Sequence, residues 1–440
     1  MSSLVIKECL AKLPVAELER SLEAFVAPLT RMLPDRRLQR VPSLAVRRIL
    51  GGQTPVITAM AQSVSRLESD TWPAAKRIYR FLYNERFDHQ LLFEGVYRIG
   101  RCTVERECPE RLVVAIDPVN FEKPYARALE GVSTVRKSTP PDHWGRPRLA
   151  RGYPAITATV VNTQVPAISY GNWFSYKTAD FISENWEIGR AMCTTREVFP
   201  RHQLRFVADA GLDDQKIFAW MDQLGAEFVI RASHLERLVA VYNPRLKRWE
   251  PETLRDLVDT VPFEATFQVA FTHAGRTRLA EIRLGWFLIR LPETQQRLWA
   301  LVAEDTTEKR TLVLITNVPL TGLQQVKAVY SDWRLRGRVE HGYRFDQEQG
   351  LDVEDLRVRT LERMRRLFAL VLLAAIFVFY LMKSWPRQAV YWLRMLGGKL
   401  GLSTDRDGPY ILLRGISAVY QTVATLTFLA KHPFPHEAFP

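Results

Sequence analysis

An unbroken apolar run, Leu367 to Met382, constrains this chain more than any other feature. Sixteen successive uncharged, largely hydrocarbon side chains must either cross a membrane or lie inside a protein core. A spanning helix takes about 20 residues, with a range of about 17–25. This run falls just short, and RMRR and KSWPRQ bracket it, so the expectation is a buried helix, with a membrane helix as the competing reading. A chain of 440 residues is long enough for a large core and two or three domains. With 47% hydrophobic and 25% charged residues, wholesale disorder is excluded.

The formal net charge of +13 favours a polyanionic partner, either nucleic acid or an acidic membrane surface. The four cysteines, Cys9, Cys102, Cys108 and Cys193, form no CxxC and no zinc-spaced set with histidine, and so read as reduced intracellular thiols. The start, MSSLVIKECLAKL, has no apolar signal core, and a cytoplasmic protein is expected.

Residues 1–105 read as helical and basic. Six arginines and one acid, Asp35, stand between Arg31 and Arg48. Arg36, Arg37 and Arg40 belong to this cluster, and Lys76, Arg77 and Arg80 lie along one side of a following helix, WPAAKRIYRFLYN. Two short helices with projecting cations suit DNA binding, and a bundle with a solvated charged face is the alternative. From about residue 110 the texture becomes α/β. LVVAID, two further apolar runs, LRFVADAG and EFVIRAS predict strands of a mixed sheet flanked by helices over residues 106–385. A β-rich insertion is expected at about 240–316, with its last strand rejoining the core, and a helical C-terminal region over 386–440, whose apolar stretch from about Pro409 to Ala430 suits either an oligomer surface or packing on the chain's own core.

Three acids stand out by position. Asp117 is expected to end the first strand, Asp209 the fourth, and Glu340 sits on the helix after the insertion. Ligands of open α/β sheets bind beyond the carboxyl ends of strands. Carboxylates gathered there repel unless cations hold them, and two Mg²⁺ ions, or Mn²⁺, can activate a nucleophile and stabilise a leaving oxygen at phosphorus. Each acid alone has an ordinary alternative as a turn or N-cap residue. Around Glu340, the spacing of Trp333, Arg336, Arg344 and Gln347 puts all five residues on one helical face, suited to holding phosphates beside a metal.

With these residues in place, the chain resembles DDE transposases of bacterial insertion sequences, specifically the insertion-sequence-four group. That group carries Tyr-x2-Arg-x3-Glu-x6-Lys on its catalytic helix. The same spacing here reads Trp333, Arg336, Glu340, Gln347. Two positions match, Trp333 stands for the tyrosine, and Gln347 replaces the lysine. IDPVNF and VADAGLDD resemble the strands bearing the two aspartates, and KRIYRFLYNERFD resembles a segment of the group's N-terminal DNA-binding domain. The resemblance implies an RNase H-like core, Asp117, Asp209 and Glu340 as catalytic and metal-binding residues, cut-and-paste chemistry on transposon-end and target DNA, and a homodimer in the DNA complex. It also implies that the apolar run is buried in the core and that no membrane is involved. The separations fit, 92 residues between the aspartates and 131 from Asp209 to Glu340, the second gap holding the insertion.

Further DNA contacts are expected from Arg231 after the fifth strand and from Arg146 and Arg148, in a basic loop with Trp144. Trp286 is a candidate for holding an unstacked base, as relatives that form a DNA hairpin do with an aromatic from the insertion. The rival readings are a DNA-binding descendant without catalysis, a structure-specific nuclease on the same core, and a basic membrane-associated protein anchored at Leu367–Met382.

Overall fold

The computed structural model describes residues 3–123, 126, 128–137, 139–243, 246–273, 276–339, 351, 353–398 and 408–432. It opens with α1 (Ser3–Ala11), α2 (Val15–Thr30), α3 (Arg36–Gln39), α4 (Val41–Gly52), α5 (Ile57–Gln62), α6 (Glu68–Leu82) and α7 (His89–Glu107). Asp35 caps α3 by accepting from the N–H groups of Arg37 and Leu38, and Asp88 caps α7 through Leu91. Leu18, Leu22, Phe25, Val26 and Leu29 give α2 one buried face.

The sheet begins with β1 (Leu112–Glu122), β2 (Ser133–Arg136), β3 (Leu149–Val160) and β4 (Ala167–Trp173). Then come α8 (Glu184–Val198), β5 (Leu204–Ala208), α9 (Gln215–Gln223) and β6 (Glu227–Arg231). β3 is antiparallel to β1 and β4, and β5 and β6 run parallel to β1, giving the RNase H-like order β4-β3-β1-β5-β6. The insertion supplies β7 (Leu238–Asn243), β8 (Arg248–Thr253), α10 (Leu254–Thr260), β9 (Ala265–His273), β10 (Arg276–Arg290), β11 (Arg297–Asp305) and β12 (Arg310–Thr316). β12 pairs antiparallel with β6, Ile315 opposite Ile230, so insertion and core form one sheet of twelve strands among the described residues. α11 (Leu323–Arg334), α12 (Leu361–Ser384), α13 (Arg387–Leu396) and α14 (Pro409–Lys431) complete the chain.

Successive side chains of a strand point to opposite faces, and two apolar clusters follow that period. Leu112, Val114, Ile116, Phe206, Phe228 and Ile230 face α7, α8 and α12. Val113, Ala115, Val207, Val229 and Leu314 face α11 through Val326, Val329 and Tyr330. The apolar run of the sequence is the body of α12, buried almost throughout from Leu361 to Leu381. Phe368 meets the rings of Phe93, Phe121 and Trp173. Each such side chain contributes about 1.5–3 kcal/mol by leaving water. By length and composition α12 and α14 could each cross a membrane, but most of α12 is enclosed by the protein's own elements.

The helices of residues 1–105 share this core. The ring of Phe25 on α2 lies tilted 5.4 Å from that of Phe377 on α12, and α7 lies so close to β4 that a Cβ on Gly100 would stand 2.7 Å from the Ile168 carbonyl. The start of α12 is clamped to α7 by Glu362. It accepts from the His89 N–H at 2.8 Å, from His89 Nδ1 at 2.5 Å and from Arg366 Nε at 2.7 Å. The buried Arg366 also donates to the carbonyls of Leu82, Asn84 and Phe87. Burial alone would raise the Glu362 carboxyl, but His89 and Arg366 outweigh it and hold it at about 2. A carboxylate depressed in this way stabilises the fold above its unfolded value of 4.5, and that contribution is lost as pH falls through about 2. Glu362→Gln is therefore expected to lower the melting temperature at pH 7 and to flatten its fall between roughly pH 4.5 and 2. An unchanged acid limb in a pH-melting series would refute the clamp.

Candidate active site

The site begins with strand register. β1 and β5 are parallel neighbours, with Ala115 opposite Val207. Continuing that register by two residues puts Asp117 opposite Asp209, on strands about 4.8 Å apart. Both follow the odd-numbered set Val113, Ala115 and Val207, so both project to the α11 face. The sequence placed Asp117 at a strand end. β1 in fact continues to Glu122, held by β3, with Thr157 opposite Asp117. It is β5 that stops, at Ala208, so Asp117 stands where its parallel neighbour gives out.

The turn after β5 carries three acids with separate fates. Asp213 has a fully buried side chain, pairs with Arg237 at 2.8 Å, and accepts from the N–H groups of Ser233 and His234. Asp214 caps α9 through Lys216 and accepts from Asn185 Nδ2. Both of these are structural. Asp209 instead faces cations at ion-pair range, Arg231 at 3.6 Å and Arg336 at 3.9 Å, and its Oδ1 is buried without a hydrogen-bond partner. Arg336 is also 3.9 Å from Asp117 Oδ1, so one guanidinium lies against both aspartates.

The end of α11 delivers Arg336 to this point. Trp333 Nε1 donates to the Ala208 carbonyl at 3.1 Å, fastening the helix to the last residue of β5. α11 ends at Arg334, a turn passes through Leu335 and Arg336, and Arg338 Nη1 donates to the Val161 carbonyl at 2.6 Å. The helix tightens to a turn at Leu335–Arg336, but the Arg336 guanidinium still lies 5.7 Å over the Trp333 ring, so these two residues share a face. Glu340, Arg344 and Gln347 lie outside the described residues; Glu340 follows directly on Val339, which is buried in the α11-side cluster.

Sequence reading missed what fixes α11 in place. Arg205 on β5, 3% exposed, pairs with Glu227 on β6 at 2.6 Å and with Asp332 on α11 at 2.5 Å. Arg111 joins at 3.5 Å from Asp332. The visible signal was an arginine at an inward-facing position of LRFVADAG.

The remaining candidates fall into three groups. Arg231 and Trp286 share the aspartates' row and face: Arg231 is opposite Leu314, Leu314 opposite Leu301, and Leu301 opposite Trp286. Trp286, partly buried against the α11-side cluster, is four strand spacings from Asp209, roughly 19 Å. Arg146 and Arg148 are exposed at the tip of the β2–β3 hairpin beside Trp144, which is 73% exposed. The hairpin extends past the carboxyl end of β1, about eight residues or roughly 26 Å beyond Thr157. Far from these in sequence, Arg37 and Arg40 converge with Arg77 and Arg80 on one cleft of about 680 Å³, joined by Arg47 and Arg86. Arg36 and Lys76 are exposed outside its lining, Lys76 over the ring of Trp72.

Among the described residues no three His, Cys, Asp or Glu side chains form a metal-holding group. Asp117 and Asp209 nevertheless fit a hard divalent cation. They offer carboxylate oxygens side by side, and Asp209 Oδ1 is buried with no donor to satisfy it.

Residues 189–377 match the family model of the transposase DDE domain. The match begins within α8, takes in Asp209 and α11, and ends within α12. Asp117 precedes it and joins the site through the β1–β5 register. No curated protein matches the chain.

Proposed function

We propose that the chain is a cut-and-paste DNA transposase of the insertion-sequence-four group, cleaving transposon ends and joining them to target DNA. The single observation that carries this reading is the pair Asp117 and Asp209, aligned on parallel strands at the edge where β5 ends and facing one arginine. Asp117, Asp209 and Glu340 would hold Mg²⁺, or Mn²⁺ in its place. Bound divalent ions supply Lewis acidity and an activated water or 3′-hydroxyl nucleophile at phosphorus.

The chain's own residues do the rest. Arg336 sits 3.9 Å from each aspartate, so its guanidinium offsets their mutual repulsion and adds positive charge where a phosphate would approach. Arg231 does the same from the neighbouring strand. Arg146 and Arg148 extend a cationic track along the DNA, and the cleft of Arg37, Arg40, Arg77 and Arg80 receives the end sequence. The strands between Asp209 and Glu340 support the insertion-sequence-four assignment, and Trp286 on them is the aromatic we assign to an unstacked base. Two ends must be held at once, so a dimer on DNA is expected. α13 offers Trp392, Met395 and Leu396, exposed one helical turn apart, as the apolar surface for it.

The test is purified full-length protein with a duplex carrying the terminal repeats that flank the gene. Mg²⁺-dependent cuts at the repeat boundary, followed by joining to a target plasmid, are the expected result. Binding without cutting in both Mg²⁺ and Mn²⁺ would leave the non-catalytic descendant. Cutting without joining would leave the structure-specific nuclease.

A further inference from the structure

A second cavity, of about 420 Å³, lies where α2, α4, α6 and α14 meet, away from the aspartates. Arg47 and Arg48 of α4, Arg77 of α6 and Tyr420 of α14 line it. Three of its polar atoms are buried with no hydrogen-bond partner: Nε of Arg47, Nε of Arg48 and Oη of Tyr420. Arg48 is 4% exposed and Tyr420 1%.

Arg48 makes a hydrogen bond from Nη1 to the Ala61 carbonyl, and among the described residues no carboxylate forms an ion pair with it. A buried guanidinium with no directly bonded counter-charge is disfavoured unless a closer anion supplies one. A buried tyrosine hydroxyl normally finds a partner as well. Of the two acids in the lining, Glu19 pairs with Arg47, while Asp70 accepts from the Ser65 hydroxyl at 3.3 Å and acts on Arg48 only at longer range. Burial brings the Arg48 guanidinium down to about 10, so it is still cationic at neutral pH.

We propose that this cavity binds a phosphate group, held between Arg48 and Arg47 on one side and Tyr420 on the other. Donors arriving from α4 and α14 call for an acceptor with several oxygens pointing apart and negative charge, which a tetrahedral phosphate has. Arg47 and Arg77 also line the arginine cleft described above, so cations mark the approach. The phosphate belongs either to a DNA backbone or to a free phosphomonoester.

The test is the melting temperature of the full chain titrated with inorganic phosphate, sodium chloride keeping the ionic strength constant. Wild type is expected to rise with phosphate as a bound ligand requires. Tyr420→Phe has no hydrogen bond to lose, so it starts at the wild-type value and needs roughly tenfold more phosphate for the same rise. Arg48→Met also gives up the bond to the Ala61 carbonyl, so it is read by its response rather than its starting value, and it shows no rise. A flat wild-type titration overturns the site, and so does an equal response in all three proteins, which would place binding in the outer cleft. Repeating the titration on the complex with end DNA separates the sources. A response lost on DNA binding, with weaker DNA affinity in Tyr420→Phe, assigns the pocket to a backbone phosphate. A response retained, with unchanged DNA affinity, assigns it to a free phosphomonoester.

Discussion

Asp209→Asn is expected to lower cleavage of end DNA by roughly a thousandfold or more, about 4 kcal/mol of transition-state stabilisation, with end-DNA affinity nearly unchanged. The substitution keeps the size of the side chain and removes the charge that a divalent cation requires. Asp117→Asn should behave alike, because the two carboxylates stand in one row on adjacent strands. Asp213→Asn gives the contrast. Its carboxylate is fully buried, pairs with Arg237 at 2.8 Å and holds the Ser233–His234 backbone, so its loss should lower the melting temperature before it touches chemistry. A readout independent of turnover is available. Mn²⁺ should raise the melting temperature of wild type and leave Asp117→Asn and Asp209→Asn unmoved. An Asp209→Asn protein that cuts within tenfold of wild type would remove Asp209 from the site.

An apolar β-rich run followed by an acid is a local signal, read from eight residues; it found the end of β5 before Asp209 but misplaced the end of β1, which runs past Asp117 to Glu122. The alignment of the two aspartates was not legible, because register between β1 and β5 depends on residues 92 positions apart. The helical face from Trp333 to Gln347 is read from a spacing of three and four, and at its start the Arg336 guanidinium does lie over the Trp333 ring, across a turn that the spacing does not predict. The bonds that anchor this segment run from Trp333 to Ala208 and from Arg338 to Val161, partners that no local period contains. The apolar run was read as a core helix because its flanks and length argued against a membrane, and α12 is buried as that reading required. The basic residues of α3 and α6 were seen as separate patches. That Arg37 and Arg40 meet Arg77 and Arg80 over one cleft depends on how α4 and α6 pack, which composition does not encode.

Asp332→Ala should be the most damaging single change on α11, costing roughly 3–5 kcal/mol. Its carboxylate receives Arg205 at 2.5 Å and Arg111 at 3.5 Å, and Arg205 is 3% exposed. Removing it leaves Arg205 inside the protein with Glu227 as its remaining ion-pair partner. The cost is mainly that of an under-compensated buried charge, so it should shrink when the charge goes too. Arg205→Met combined with Asp332→Leu is therefore expected to melt above Asp332→Ala, with a coupling energy of about 1 kcal/mol or more in the double-mutant cycle. Function should follow position. Asp332 directly precedes Trp333, whose indole fastens α11 to the end of β5 and so places Arg336 against both aspartates. Cleavage by Asp332→Ala should therefore fall further than its unfolded fraction explains, measured well below its melting temperature. Equal melting temperatures for Asp332→Ala and wild type would mean that apolar packing through Val326, Val329 and Tyr330 fixes α11, with the charge network as a bystander.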